Sequence, residues 1–509
     1  MWDFETWAVG IEAAYESLSH TFVSFTGAWK TAAWVLSLDW LVRLGLAVHI
    51  VMRRWPVGMS LSWLLIVLMF PLVGPVTYLM LGLNWLGIVR SRWAQQMRQH
   101  YLPWKRRQQP WVFRDWDHEL SDPAQLSRII NATLGEAPLG GNRLELLATT
   151  DAVFRAMIAD IDAAQKGCNM EFYIWEVGGL ADEFSDSLGR AASRGIKVQI
   201  LVDAVGSRGF LKSAQCARLR QAGVEVRAAL PVRALRALFY RFDLRMHRKT
   251  LVVDDRVGYV GSQNLADPKI FRNGAGFGQW VDAMVRIEGP AVDSLSMVFF
   301  EDWHFEQADF ATAAQWESDR PVPEPLGGVP IQVVPSGPGM PAESIMQILL
   351  NAIYMADHDL MITTPYYVPD ELLQRALISA VRRGVRVTLI VPDKVDSTLV
   401  RLASRPFLRE LTKEGVRVAQ YRAGMLHTKS ITIDHDISFF GTLNLDPRSF
   451  ELNFELMLVI YDTPFTRQLS ELQEEYARQS DLLSCDPASE PRFITRLAED
   501  FVRLISPLL

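Results

Sequence analysis

The stretch MHRKTLVVDDRVGYVGSQN, residues 246–264, returns in altered form as LHTKSITIDHDISFFGTLN, residues 426–444. Each copy contains the pattern His-x-Lys-x-x-x-x-Asp. In both copies a glycine, a hydroxyl residue and an asparagine follow the histidine by 14, 15 and 17 positions. Two chance matches with identical downstream spacing are improbable at average residue usage. The pair therefore indicates an internal duplication whose two halves carry the same chemistry.

The duplicated residues are polar side chains set in strand-like surroundings. They are His247, Lys249, Asp254, Ser262 and Asn264 in the first copy, and His427, Lys429, Asp434, Thr442 and Asn444 in the second. Both segments are rich in β-branched residues, which favours strands, and side chains two positions apart on a strand share a face. The histidine and lysine of each copy therefore point to one place. After a turn at the aspartate, a second strand returns the hydroxyl residue and the asparagine beside them.

If the two copies pack about a pseudo-twofold axis, two histidines, two lysines and two asparagines converge on one pocket. Such a pocket offers positive charge and amide donors to a phosphate, and two imidazoles for nucleophilic and acid–base roles. A lone histidine beside a lysine is usually structural, an interpretation that the duplication disfavours. Zinc binding is also disfavoured, because the set lacks cysteine and places a repelling lysine beside each histidine. We expect no metal and no other cofactor.

The sequence around both motifs alternates apolar strand-like runs with helical stretches. EFYIW (171–175) and KVQILVDA (197–204) enclose one helical stretch, and LMITTPYYV (360–368) and RVTLIV (386–391) enclose another. Such units predict a parallel or mixed sheet covered by helices. We predict an α/β fold of duplicated α/β/α units related by a pseudo-twofold, with a first domain at 135–311, a proline-rich linker at 312–328 and a second domain at 329–509.

The N-terminal part of the chain differs from the rest in charge and hydropathy. Residues 1–110 hold ten basic and five acidic side chains, although the net charge of the 509-residue chain is −6. No charged residue occurs from Trp55 to Val89, a run of 35 residues, whereas about 20 apolar residues suffice to cross a bilayer. A second apolar segment, Ala32–Met52, contains Asp39 and Arg43, which can pair four residues apart on a helix.

These features predict a transmembrane helical hairpin with helices at about 32–52 and 59–82. The hairpin belongs to a membrane anchor at 30–110 that ends in a basic collar and follows an N-terminal extension at 1–29. A buried core helix is the alternative for the second segment, and an interfacial amphipathic helix is the alternative for the first. Six basic residues follow the second helix and two precede it, so the positive-inside rule places the later domains in the cytoplasm.

Composition excludes several other classes of protein. The acidic remainder of the chain argues against a nucleic-acid-binding protein, which usually has a basic domain. Three scattered cysteines form neither a disulfide framework nor a zinc site. We therefore expect membrane lipids, and no nucleic acid, as partners; an oligomeric state is not predicted.

The paired motif resembles the HKD signature of the phospholipase D superfamily. Longer stretches resemble the bacterial cardiolipin synthases of that superfamily: DLRMHRKTLVVDDRVGYVGSQN (243–264), GFGQWVDAMVRIEGP (276–290), TTPYYVPD (363–370), GTLNLDPRSFELNFE (441–455) and the apolar MSLSWLLIVLMFPLVGPVTYLMLG (59–82). The resemblance covers about residues 30–509. One departure is that the first copy has ADPKIF where the second has LDPRSF, so only Arg448 supplies a guanidinium there.

The resemblance implies a phosphatidyltransferase that joins two phosphatidylglycerol molecules into cardiolipin and glycerol through a phosphohistidine. It implies His247 as nucleophile and His427 as acid–base, with Asp254 and Asp434 orienting the imidazoles. The implied groups that stabilise the transition state are Lys249, Lys429, Asn264 and Asn444, and the implied phosphate-binding or supporting residues are Ser262, Asn264, Thr442, Asn444, Arg448 and Glu455.

Other activities use the same motif. A phospholipase D-type hydrolase would use water as acceptor, and a transphosphatidylase could use phosphatidylethanolamine. A nuclease of the superfamily is disfavoured by the anchor and the acidic bulk, and a non-catalytic membrane scaffold by two intact motifs. The implied location is the bacterial cytoplasmic (inner) membrane, with a multi-pass anchor and the catalytic domains on the cytoplasmic side.

Overall fold

The computed structural model describes residues 34–53, 57–83, 85–116, 121–231, 243–272, 276–307, 321–341, 343–484 and 493–504. The described residues form two compact units, one that runs to Trp85 and one that begins at Leu86. The predicted extension at 1–29 and part of the predicted linker at 312–328 lie outside the described residues. The predicted anchor at 30–110 runs past this division, because most of helix Trp85–Gln108 belongs to the second unit.

The first unit is built from apolar helices. They lie at Trp34–Met52, Val57–Met69 and Val73–Thr77, and a π-helix at Tyr78–Gly82 continues the last. Within the described part of the chain, the 19-residue helix Trp34–Met52 is the one that is long and apolar enough to cross a membrane. At 1.5 Å per residue it spans about 28 Å, close to the thickness of a hydrocarbon core.

The second predicted helix, 59–82, is interrupted, which corrects the expectation of one continuous span. Helix Val57–Met69 ends two residues before Pro71. A proline lacks the N–H donor that a helix needs, and its ring disfavours helical backbone in the residue before it. The apolar segment is therefore two short helical pieces, neither of which is long enough by itself to cross a bilayer.

A buried ion pair occupies the interruption. Arg43 and Asp39 lie 2.6 Å apart (Nη2 to Oδ2), which confirms the predicted pairing. Arg43 Nη1 donates to the carbonyl oxygen of Leu68 (2.9 Å), and the backbone N–H of Leu72 donates to Asp39 Oδ1 (3.0 Å). The pair thus satisfies two of the backbone groups that the end of one helix and the start of the next leave open.

The second unit contains the duplicated α/β fold. Its first copy holds the strands β1 (Leu139–Leu147), β2 (Gly167–Phe172), β3 (Lys197–Asp203), β4 (Glu225–Ala229), β5 (Arg245–Met246), β6 (Thr250–Val253), β7 (Val257–Gly261), β8 (Trp280–Val281) and β9 (Met284–Glu288). Its second copy holds β10 (Val329–Ser336), β11 (Asp359–Thr363), β12 (Arg386–Pro392), β13 (Arg417–Tyr421), β14 (Met425–Leu426), β15 (Ser430–Ile433), β16 (Ile437–Gly441), β17 (Asn453–Ile460) and β18 (Ser480–Leu482).

Helices cover this sheet and connect its strands. After Trp85–Gln108, the 3-10 helix Gln109–Trp111 and Asp122–Leu134, the first copy has Thr150–Ala163, Leu180–Ser193, Arg208–Leu211, Ala214–Gln221 and Ala291–Gln307. The second copy has Ser344–Met355, Glu371–Arg382, Thr398–Lys413, Pro447–Glu451, Thr463–Arg478 and Phe493–Leu504.

The main sheet is ordered symmetrically about its centre. The order is β18-β13-β12-β11-β15-β16-β17-β10-β1-β9-β7-β6-β2-β3-β4, and β5 pairs with β17 beside this path. β1 and β10 pair antiparallel in the middle, with Leu139 opposite Ile331, and the equivalent strands of the two copies follow outward in matching order. The predicted duplication about a pseudo-twofold is therefore confirmed.

Helical spacing of apolar residues explains how the connecting helices pack. In Leu180–Ser193, Phe184 and Leu188 recur four positions apart and are fully buried against the sheet. The helix ends before Gly195, whose φ of +83° is a conformation that glycine adopts without steric cost. The matching helix Glu371–Arg382 ends before a glycine with φ of +96°.

Two short pairings connect the copies at the duplicated motif. β5 runs parallel to the start of β17, with Arg245 opposite Asn453, and β14 runs parallel to β8, with Met425 opposite Trp280. Each motif thus begins beside the other copy and crosses into its own sheet at β6 or β15. The prediction that the histidine and lysine lie within one continuous strand is corrected, because they lie in the extended crossing segments.

Candidate active site

The two motif histidines lie where the chain crosses between the copies. The backbone N–H of His247 donates to the carbonyl oxygen of Phe454 (3.0 Å), and that of His427 donates to the carbonyl oxygen of Val281 (2.9 Å). In both cases the next residue of the other copy is acidic. The cross-copy pairing therefore brings a carboxylate to each imidazole.

Each imidazole is held by that carboxylate. His247 Nδ1 lies 2.8 Å from Glu455 Oε2, and His427 Nδ1 lies 2.7 Å from Asp282 Oδ1, with all four side chains buried. An ionised carboxylate accepts from Nδ1–H and leaves the lone pair of the neutral ring on Nε2. Both histidines line one cavity of about 400 Å³, so Nε2 is the ring atom available to a substrate.

Burial sets the charge of these pairs. It lowers the pKa of both His247 and His427 to about 4, against the opposing effect of the facing carboxylates. Burial alone would raise the pKa of Glu455, but the facing histidine and the nearby Lys249 hold that pKa below its ordinary value. Near neutral pH the site therefore holds neutral imidazoles beside ionised carboxylates, the state in which an imidazole is a nucleophile or a base.

The motif lysines lie beside the histidines rather than on the cavity wall. Lys249 Nζ donates to the carbonyl oxygen of His247 (2.7 Å), and Lys429 Nζ to that of His427 (2.6 Å). Burial lowers the pKa of Lys249 to about 8 and that of Lys429 well below its ordinary value. Both lysines therefore lie behind the imidazoles, and their charge acts on the cavity from there.

The motif asparagines line the cavity, as expected. Asn264 Oδ1 accepts from the backbone N–H of Ile174 (3.1 Å), which fixes its amide. Among the described residues, the buried Nδ2 of Asn264 and Oδ1 of Asn444 have no hydrogen-bond partner. A buried amide atom without a partner is costly unless a ligand completes it. Asn264 Nδ2 is therefore suited to donate to a substrate oxygen, and Asn444 Oδ1 is suited to accept from a substrate donor such as a hydroxyl.

The hydroxyl residues support the carboxylates instead of lining the cavity. Thr442 Oγ1 donates to Glu455 Oε2 (2.6 Å) and also accepts from the backbone N–H of Leu456 (2.9 Å). In the first copy, Ser262 accepts from the backbone N–H of Ala283 (3.1 Å), next to the other carboxylate. Ser262 and Thr442 therefore have a supporting role, and Glu455 holds an imidazole rather than a phosphate.

The motif aspartates do not touch the imidazoles, so the role expected for them is wrong. The Asp254 carboxylate accepts three backbone N–H groups of the loop before β2, at 2.6–3.1 Å. The Asp434 carboxylate accepts three from the loop before β11, at 2.7–2.8 Å. Both residues have positive φ, +56° and +48°. This turn conformation directs each carboxylate away from the histidine. They fasten loops at the far ends of the strands.

Basic and aromatic side chains complete the cavity wall. Arg448 was predicted, and it donates to the carbonyl oxygen of Asp243 (2.5 Å). Trp280 lies over His427 at a ring-centroid distance of 4.2 Å. The lining residues not predicted from the motif include Tyr173, Arg245, Arg272, Trp280 and Tyr366. Three arginines of the wall outnumber its two aspartates, Asp396 and Asp446, although Arg272 pairs with Asp396 (2.7 Å). The excess of basic side chains beside paired imidazoles favours an anionic phosphodiester as ligand.

Comparison with known proteins agrees with this geometry. The family model described as cardiolipin synthase, PLD-like domain, matches residues 157–303 and 349–476, which lie in the two copies. Cardiolipin synthase A of Yersinia pseudotuberculosis serotype O:1b (strain IP 31758) is 40% identical over 472 residues, 92% of this chain and 97% of that protein. Cardiolipin synthase A of Yersinia pestis bv. Antiqua (strain Angola) matches with the same identity and coverage. The chain belongs to the cardiolipin synthase family.

Two further matches concern the N-terminal segment and the fold. The model described as phospholipase D-nuclease N-terminal matches residues 43–82. The crystal structure of phosphatidylserine synthase from Haemophilus influenzae Rd KW20 superposes with a TM-score of 0.56 at 16% identity, covering 76% of this chain and 100% of that chain, which shows a shared fold. Membership in the cardiolipin synthase family confirms the predicted phosphatidyltransferase, implies lipid substrates and, with the N-terminal apolar helix, indicates association with a membrane.

A buried charge network supports the first histidine of this cardiolipin synthase-family site. Arg248, between the motif histidine and lysine, donates from Nε to the carbonyl oxygen of Glu455 (3.1 Å). Its guanidinium also pairs with Asp302, and Arg90 pairs with the other oxygen of the same carboxylate. All three charged groups are buried. The network fixes the backbone of the residue that holds His247.

Asp282, the carboxylate that holds His427, was not predicted, although the sequence contains a signal for it. WVDAMV, residues 280–285, takes the place in the first copy that NFELML, residues 453–458, takes in the second. Extending the repeat alignment beyond the motif would have matched Asp282 to Glu455. Within the described residues, no group of three or more His, Cys, Asp or Glu side chains is arranged to hold a metal ion.

Proposed function

We propose that the chain is a cardiolipin synthase that transfers a phosphatidyl group from one phosphatidylglycerol to another through a covalent phosphohistidine. The observation that carries this proposal is the pair of neutral imidazoles on one cavity, each held at Nδ1 by a carboxylate of the other copy. One nucleophile and one proton carrier are what a two-step transfer needs.

In the first step, His247 Nε2 attacks the phosphorus of a bound phosphatidylglycerol. The anionic phosphodiester and the Asp282 carboxylate together favour a proton on His427, which then passes to the glycerol oxygen as the phosphorus–oxygen bond breaks. The amides of Asn264 and Asn444 bind the phosphoryl oxygens, and the buried lysines stabilise the added negative charge of the transition state. Glycerol leaves, and a phosphatidyl group remains on His247.

In the second step, a hydroxyl of another phosphatidylglycerol attacks the phosphohistidine. The now neutral His427 takes the proton of that hydroxyl, the nitrogen–phosphorus bond breaks, and cardiolipin is released. The proton given to glycerol is thereby recovered, and the energy of the first diester is conserved in the intermediate. The assignment of His247 as nucleophile follows the family resemblance.

The experiment is product analysis with full-length protein in proteoliposomes that contain phosphatidylglycerol labelled in the glycerol and acyl parts. We expect equal amounts of cardiolipin and free glycerol. Conversion mainly to phosphatidic acid would instead make the chain a hydrolase, and a product that incorporates added phosphatidylethanolamine would change the acceptor. EDTA should leave the products and the rate unchanged, and His358→Ala, an exposed histidine outside the cavity, is the matched control for histidine substitutions.

We further propose that the apolar helices of the first unit form a multi-pass hairpin in the bacterial cytoplasmic membrane, with the second unit in the cytoplasm. The charge-free run and the basic residues after it support this orientation. The test is labelling of a cysteine at the exposed Glu474, in a Cys485→Ser background, with a membrane-impermeant maleimide. Labelling should require cell lysis, and labelling in intact spheroplasts would reverse the orientation.

A further inference from the structure

The C-terminal helix Phe493–Leu504 presents an apolar face to solvent. Its residues Phe493, Ile494, Leu497 and Phe501 are 78%, 79%, 59% and 64% exposed. At 3.6 residues per turn these positions share one side of the helix. Four large apolar side chains exposed together on a single face are unusual for a solvated helix and indicate an interaction surface.

The opposite side of this helix is fixed to the protein. Glu499 is buried and pairs with Arg409 (2.6 Å) and Arg405 (3.4 Å) of the neighbouring helix. Val502 packs in a small apolar cluster with Val368 and Ala403. Because a buried ion pair and this cluster hold the inner side, the helix cannot turn its apolar face inward without breaking both.

The inner side of the helix lies next to a wall of the active-site cavity. Val368, which shares an apolar cluster with Val502 of this helix, also lines that cavity, as does Val400. Leu399, adjacent to Val400, is exposed, and Val205 is both exposed and part of the cavity wall. Exposed apolar side chains therefore lie both on the helix and beside the cavity.

Exposed basic side chains accompany this apolar surface. Arg496 lies on the helix near the apolar face, on the same flank as the half-buried Asp500, and the exposed Lys394 and Arg401 precede and follow the cavity residue Val400 in the chain. An apolar face flanked by basic residues is complementary to the surface of a bilayer with anionic headgroups, where such a helix lies parallel to the membrane.

We propose that helix Phe493–Leu504 is a membrane-docking element that inserts its outer face into the interface of an anionic bilayer and sets the cavity mouth against the lipid surface. Docking of the helix does not depend on the proposed reaction. Only its purpose, the supply of lipids to the cavity, rests on the proposed function. It adds a second point of attachment, distant in sequence from the N-terminal helices, and explains how a buried site receives lipids without their leaving the membrane.

The test uses full-length protein with Cys485→Ser and an environment-sensitive fluorophore on Leu497→Cys, reconstituted in vesicles of phosphatidylcholine and phosphatidylglycerol. Glu474→Cys is the matched control, because Glu474 is exposed and lies beside the residues that begin β11, β12 and β13, at the opposite ends of these strands from the cavity. Phe493→Cys provides a second position if the first variant folds poorly.

We expect blue-shifted emission at Leu497→Cys and quenching by lipids with nitroxides on their acyl chains, with neither effect at Glu474→Cys. Equal quenching of both positions by aqueous iodide would overturn the proposal. Emission that depends on protein density and not on lipid composition would also overturn it, because the face would then cover a second copy of the chain.

Activity supplies a separate readout. Phe501→Glu should lower turnover of phosphatidylglycerol in bilayers about tenfold, the change that about 1.4 kcal/mol produces, and leave turnover of a short-chain, monomeric phosphatidylglycerol unchanged. Equal loss on both substrates would contradict docking as the cause. If the fluorophore enters the bilayer while no cardiolipin forms with any variant, the proposed function fails and the docking surface stands.

Discussion

Glu455→Gln tests the cross-copy support of His247 most sharply. The substitution keeps the size of the side chain and removes its charge 2.8 Å from His247 Nδ1. Once Nε2 is phosphorylated the ring is cationic, and opposite charges about 4 Å apart at an effective dielectric constant of about 20 attract by about 4 kcal/mol. Glutamine can still accept the Nδ1–H bond, so we expect a loss of about 3 kcal/mol, which slows transfer roughly a hundredfold.

Glu455→Gln should also change the pKa values of neighbouring groups. The Glu455 carboxylate opposes burial and raises the pKa of His247, so its removal should lower that pKa further below about 4. His247 is then neutral throughout the range from about pH 6 to 8, as it is in the parent protein. Glu455 also raises the pKa of Lys249, which is about 8, so its removal should lower that pKa as well and make the defect larger near pH 8 than near pH 6.

The assay is the initial rate of cardiolipin formation in proteoliposomes at several pH values, with thermal unfolding measured on the same preparations. Glu474→Gln, an exposed carboxylate away from the cavity, is the matched control and should have the parent rate. A Glu455→Gln rate within twofold of the parent, at unchanged thermal stability, would refute the role assigned to this carboxylate.

Four further substitutions separate catalytic from structural roles. His247→Ala and His427→Ala should each reduce transfer in isolated membranes to background without changing the amount of membrane-bound protein, and robust product from either would contradict a two-imidazole site. Asp254→Asn should weaken loop attachment and lower the free energy of unfolding by about 2 kcal/mol, seen in denaturant titration, while the folded fraction stays far more active than His247→Ala. Asp302→Asn removes the carboxylate that the buried Arg90 and Arg248 guanidinium groups share and should cost about 3–5 kcal/mol in the same titration. A stability within about 1 kcal/mol of the parent would show that the nearby Glu171 and Glu301 compensate.

The part of the site that the sequence predicted is the part set by local geometry. The spacing from His247 to Asn264 spans one turn between two adjacent strands, so identical spacing in the second copy was enough to predict that both histidines and both asparagines meet. The carboxylate partners depend instead on how β5 pairs with β17 and β14 with β8. That register depends on residues far apart in the sequence, and the motif alone does not predict it.

The family resemblance implied that the motif aspartates orient the imidazoles. The positive φ at the turn instead directs the carboxylate of Asp254 to backbone N–H groups before β2. The length of the segment at 59–82 and its lack of charged residues predicted apolar helical structure, but not its interruption. The break near Pro71 is capped by the Asp39–Arg43 pair, whose contacts with a neighbouring helix the sequence does not specify.

The central claim is a covalent phosphatidyl group on one of the paired histidines, and trapping it is the most direct test. The His427→Asn variant lacks the base that breaks the intermediate down. A labelled phosphatidyl ester with a phenolate leaving group, which needs no protonation to depart, should load this variant. Peptide mapping should then find acid-labile, base-stable label on His247. No such label on either histidine, in this variant or in His247→Asn, would contradict transfer through a phosphohistidine.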